Sequence, residues 1–86
     1  MQFAYVGAVF TNDENKKAYT YKYPIELNLQ PGDLIVVPVG ATFRPTLAKV
    51  LGVKDDIVEN PKIKYKYVID RVDFSLYEAI PAELKA

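Results

Sequence analysis

Residues 19–40, YTYKYPIELNLQPGDLIVVPVG, decide how this chain folds. Residues 17–23 alternate as Lys17-Ala18-Tyr19-Thr20-Tyr21-Lys22-Tyr23, the period and aromatic content of a β-strand. Tyr19, Tyr21 and Tyr23 share one face, a core wall or a binding platform, and in so small a chain at least one of them belongs to the core. Pro24 has no amide hydrogen and ends the ladder. Ile25, Leu27 and Leu29 then alternate with polar residues along an irregular or extended arm. Pro31-Gly32-Asp33 is a turn, because proline presets its φ and glycine accepts the positive φ that other residues resist. Residues 34–37 form a short apolar core strand in which Val36 is expected to be buried. Pro38 stops that strand, and Gly40 lets the chain turn sharply.

Working outward, residues 2–10 form an apolar run with large side chains on both faces, as expected of a strand covered on both sides. That is more apolar surface than one small barrel buries, so a homodimer is an expectation. Residues 11–15 are a polar connection. Beyond the 41–45 loop, residues 46–53 form a strand with Leu47, Val50 and Leu51 partly buried and a bulge or bend at Gly52. An acid-rich loop, 54–61, leads to a strand over 62–72. Its expected faces are Ile63, Tyr65, Tyr67 and Ile69 on one side, with Lys62, Lys64, Lys66 and Val68 on the other. Ser75 and Glu78 have capping-box spacing, so a short helical turn follows Asp73 and Pro81 limits it. The sum is an all-β, SH3-like barrel of about five strands with a C-terminal helical turn, a single domain over residues 1–86.

Composition narrows the chemistry. The chain has no cysteine and no histidine, which removes disulfides, thiol nucleophiles, Cys/His zinc sites and imidazole bases. The glycines never cluster into a phosphate loop, and the loop acids Asp55, Asp56 and Glu59 have no cation-binding spacing. A non-enzymatic protein without metal or cofactor is expected. No apolar run reaches the length of a membrane span, and the N-terminus lacks a basic region before its apolar stretch. No membrane role and a cytoplasmic location are therefore the expectation. Eleven basic and eleven acidic side chains cancel, which excludes a globally basic nucleic-acid binder but not a local basic face.

The lysines and tyrosines carry the most chemistry. Lys62, Lys64 and Lys66 alternate with Tyr65 and Tyr67, and lysine answers phosphate while tyrosine offers a stacking plane. Alternating lysines also make the ordinary solvated face of a half-buried strand and guard an edge. The residues alone leave two classes open, a nucleic-acid-binding module and a protein-interaction module.

At these motifs the chain resembles the N-terminal DNA-binding domain of the primosomal replication-restart helicase. The apolar first strand matches residues 4–9, and the aromatic pair matches Tyr19 and Tyr21. Pro24, Gly32 and the Val37-Pro38-Val39-Gly40 closure follow, with no gap between Tyr19 and Gly40. Lys49-Val50-Leu51 stands for the return strand and residues 66–73 for the last. The resemblance implies an SH3-like barrel that engages single-stranded DNA or a 3′ end. It implies a pocket at Tyr19, Thr20, Gly40 and Lys66, with Tyr21, Lys62 and Lys64 at its rim. The family's acid between the aromatics, which meets the 3′ hydroxyl, is Thr20 here, so the charge-assisted acceptor is lost. No helicase follows within the 86 residues, which suggests a free-standing, phage-type protein. In that setting a protein partner, such as a host enzyme to be inhibited, is the alternative to nucleic acid.

Overall fold

A computed structural model describes residues 1–85. The strands are β1 (Phe3–Phe10), β2 (Ala18–Pro24), β3 (Leu34–Val39), β4 (Arg44–Lys54) and β5 (Asp70–Arg71). They form one antiparallel sheet in the order β2-β1-β4-β3-β5. Short 3₁₀ turns at Ile25–Leu27 and Ala82–Leu84 and one helical turn, α1 (Ser75–Glu78), complete an all-β fold.

Two turns position the central hairpin. Pro31 and Gly32 occupy the middle of a turn in which the Asp33 amide donates to the Gln30 carbonyl at 3.1 Å. Gly32 supplies φ +94°, which proline at the preceding position favours. The Gly32 amide donates to the Val50 carbonyl and the Val50 amide to the Asp33 carbonyl, both at 2.9 Å, so the turn docks directly on β4. At the other end of β3 the chain reverses through residues 40–43, with Gly40 at φ +75° and Phe43 at φ +53°. Pro38 does not stop β3. It lies opposite Pro45, and the strand runs on to Val39 opposite Arg44.

The sheet closes through the segment that follows Pro61. The Lys22 amide donates to the Lys66 carbonyl at 3.0 Å, and the Val68 amide returns to the Lys22 carbonyl at 2.8 Å. One residue later the Ile69 amide bonds the Val36 carbonyl at 2.8 Å, and the Val72 amide bonds that of Leu34 at 2.9 Å. The chain thus steps from the free edge of β2, which it meets at Lys22, to the free edge of β3, making the sheet a small SH3-like barrel.

That crossing corrects the expected 62–72 strand. Only Asp70–Arg71 is regular strand, because residues 66–69 spend their bonds on two different neighbours. The faces are also reversed: Val68 is buried, while Ile63, Tyr67 and Ile69 are exposed. The core consists of Ala4, Val6, Ala8, Tyr21, Tyr23, Leu29, Ile35, Val37, Ala48, Val50 and Val68. Ile35 and Val37 are fully buried, whereas Val36 is only half-buried on the opposite face, so the core parity of β3 is odd. Leu47 and Leu51 are likewise exposed.

The second apolar face of β1 finds partners within the chain. Phe3 meets Tyr67 edge-on at 5.1 Å and Tyr5 meets Tyr65 at 6.2 Å, while Phe10, on the core parity with Ala4, Val6 and Ala8, tilts against Tyr19 at 5.2 Å. The register between β1 and β4 shifts between Gly7 and Ala8, leaving Leu51 as the extra residue of a bulge beside Gly52.

Candidate functional site

Where β2 begins and β3 ends, the two strands flank a cleft of about 520 Å³ whose third wall is residues 63–66. Tyr19, Thr20, Tyr21, Gly40, Lys64 and Lys66 all line it, brought together from three separated stretches of sequence. Lys62 is exposed and lies outside this lining.

Strand parity explains each placement on β2. Tyr21 and Tyr23 face inward and are core residues. Tyr19 shares their face but sits past the end of the packed interior, so the residue is 39% exposed and its ring rests against Phe10. The Lys17 ammonium lies 5.4 Å from the centre of the Tyr19 ring. Thr20 lies on the alternate parity, is exposed, and is among the residues that line the cleft. Burial pushes the Tyr21 phenol above its ordinary pKa, with a smaller contribution from Tyr19, so Tyr21 enters the site as a neutral, rigid wall.

Lys66 does not stand free as a solvated lysine would. Its Nζ donates to the Gly40 carbonyl at 3.0 Å and sits 5.1 Å over the Phe43 ring. Both contacts tie the 63–66 wall to the β3–β4 turn, so Lys66 fixes the mouth of the cleft as well as lending it positive charge. Lys64 adds a second cation. The site is therefore an aromatic-floored slot with two ammonium groups and a glycine backbone at its rim, suited to a flat, anionic ligand.

Phe10, Tyr65, Lys17 and Phe43 belong to this neighbourhood but were not singled out as site residues from the sequence. Tyr65 had a legible signal, since it alternates with the site lysines. Phe43 had none, because its place against the Lys66 ammonium depends on a left-handed backbone in a turn.

No curated protein and no solved structure matches the chain. A family model does, that of the PriA 3′DNA-binding domain (3′BD), over residues 8–83. The match spans β2, β3, β4 and the closing segment, and so every wall of the cleft. It places the chain among nucleic-acid-binding modules and lends nothing to the protein-interaction alternative. With nearly its whole length inside the match, the chain belongs to the PriA 3′DNA-binding domain family.

Proposed function

We propose that the cleft receives the 3′-terminal nucleotide of a DNA strand and that the chain acts as a non-catalytic binding module. The observation that carries this reading is the convergence of Tyr19, Thr20, Gly40 and Lys66 on one cleft inside a 3′DNA-binding domain match. Tyr19 offers an exposed ring, braced from behind by Phe10, for the terminal base. Thr20 hydrogen-bonds the 3′ hydroxyl. Gly40, without a side chain, lets the sugar approach the backbone. Lys64 and the remaining hydrogens of the Lys66 ammonium face the phosphate.

Threonine is a neutral partner for a hydroxyl, so selection of the 3′ end rests on shape more than on a charge-assisted bond. The test compares a short oligothymidylate ending in a 3′ hydroxyl with the same strand ending in a 3′ phosphate. The hydroxyl form binds more tightly, because the phosphate is bulkier and removes the donor. Equal affinities would remove end recognition, and no binding below roughly 100 μM at physiological salt would place both strands in the non-specific range.

A further inference from the structure

We propose that Lys22 is a second phosphate site beside the cleft, and that Glu59 occupies it in place of a phosphate until a DNA strand displaces the carboxylate. The inference rests on the reading of the cleft given above and extends it from the terminal nucleotide to the strand behind it.

The Lys22 backbone is fixed on both sides. Its amide donates to the Lys66 carbonyl at 3.0 Å, the Val68 amide donates to its carbonyl at 2.8 Å, and on β1 it pairs with Tyr5. Lys22 shares the parity of Thr20 on β2, two residues on and so about 7 Å along the strand. A DNA strand that leaves the cleft past Thr20 in the direction of Pro24 meets Lys22 next.

Aromatic rings hold the ammonium in place. It lies 5.8 Å from the centre of the Tyr5 ring and 5.9 Å from that of Tyr67. Tyr5 in turn meets Tyr65 edge-on, and Tyr65 lines the cleft, so aromatic surface runs from the cleft to this cation. Two rings beside one ammonium restrict the lysine stem before any ligand arrives, which makes the cation a preformed anion site. The chain itself supplies the anion: Glu59 Oε1 lies 2.7 Å from Lys22 Nζ. That hydrogen bond raises the pKa of the ammonium and keeps it charged.

The pair is placed where it can be broken. Glu59 reaches Lys22 from the acid-rich loop after β4, and its side chain is 42% exposed. An ion pair so exposed shifts an equilibrium by no more than about fivefold, so a phosphate carried in by the cleft's other contacts can replace it. The next residue, Asn60, donates its amide to the Tyr65 hydroxyl at 3.2 Å, which ties the loop to a wall of the cleft. Lys22–Glu59 is the only ion pair among the described residues, and the loop acids Asp55 and Asp56 form none.

The test titrates the 86-residue chain with a short oligothymidylate ending in either a 3′ hydroxyl or a 3′ phosphate. Glu59→Gln keeps the size of the side chain and removes the competing charge. It is expected to bind about two- to fivefold more tightly, with a steeper salt dependence, because one more lysine answers phosphate. Asp56→Asn makes the same charge change in the same loop, at an exposed residue outside the pair, and gains less. Lys22→Met keeps an aliphatic stem between the two rings without the charge. In that background Glu59→Gln brings no gain, since both changes act on one contact. The preference for the 3′ hydroxyl persists throughout, because neither Lys22 nor Glu59 lines the cleft. Should Lys22→Met fail to fold, the comparison of Glu59→Gln with Asp56→Asn decides.

Equal gains from Glu59→Gln and Asp56→Asn, a gain that survives Lys22→Met, or no gain at all overturns the Lys22 site and leaves the cleft reading intact. A gain that depends on Lys22, alongside equal affinities for the two ends, supports the site and overturns end recognition. No binding by either the wild type or Glu59→Gln overturns both.

Discussion

Val36 and Val37 are adjacent and chemically identical, yet their substitution has opposite consequences. Val37 is fully buried among core side chains, so Val37→Asp places an unpaired carboxylate where water cannot reach it. That penalty is of the order of the roughly 5 kcal/mol at the low end of domain stability, and circular dichroism will show an unfolded chain. Val36 lies half-buried on the outer face opposite Asp70, so Val36→Asp folds and loses about 1 kcal/mol by like-charge pairing. The same parity logic makes Tyr19→Ala a binding mutation. Its ring lies outside the core, and its removal costs about 1 to 3 kcal/mol of DNA affinity by titration, with little change in melting temperature. The tyrosine alternation was legible because all three rings share a parity and only Tyr19 reaches past the packed interior. The parity of β3 was not, since Leu34, Ile35, Val36 and Val37 are apolar on both faces.

The regular strands were readable as elements because each carries a period or a breaker at its end. The closing segment was misread for a physical reason. Residues 62–69 have apolar side chains on both parities, and the sheet edge each one bonds is set by tertiary closure, which no local pattern encodes. The same limit hid the second role of Lys66. Its lysine alternation was visible, but the bond to Gly40, 26 residues away, was not. Lys66→Ala therefore does more than remove a phosphate contact. It frees the 40–43 turn, and the Phe43 amide, bonded to Gly40 at 3.2 Å, exchanges faster by NMR than in the wild type. The helical turn α1 was expected from the spacing of Ser75 and Glu78, but no side chain caps it at Phe74, and the contact at its start is made by Asp73, whose carboxylate accepts from the Ser75 amide at 2.9 Å. That bond, then the Ser75 hydroxyl, holds the Asp73 carboxyl below its ordinary pKa. A depressed carboxyl stabilises above its unfolded pKa and loses that contribution as pH falls through its lower folded value. In acid, amide exchange at Glu78 and Ala79 rises before the barrel amides respond, and Asp73→Ala shows the faster exchange already at neutral pH.

At the scale of the molecule, the barrel and the C-terminal arm differ in how much they bury. The radius of gyration is 14.5 Å, against about 12 Å for a compact chain of this length. Leu76 and Leu84 in the arm are 84% and 72% exposed. Truncation after Phe74 is accordingly expected to move the barrel's melting temperature by less than about 4 °C, the shift for roughly 1 kcal/mol in a domain this size. Alkali tests the barrel itself. Burial raises the phenol pKa of Tyr21, with Tyr19 adding to it, and of Tyr23, with Asp55 adding to it. A raised phenol pKa means the folded state favours the neutral form. Its stabilisation is whole below the ordinary tyrosine pKa of about 10 and is lost as pH rises through the folded values. The melting temperature of the wild type falls steeply above pH 10. Tyr21→Phe/Tyr23→Phe keeps both rings in the core without an ionisable group and flattens that fall. An equally steep loss in the double variant would assign the alkaline transition to groups other than the two buried rings.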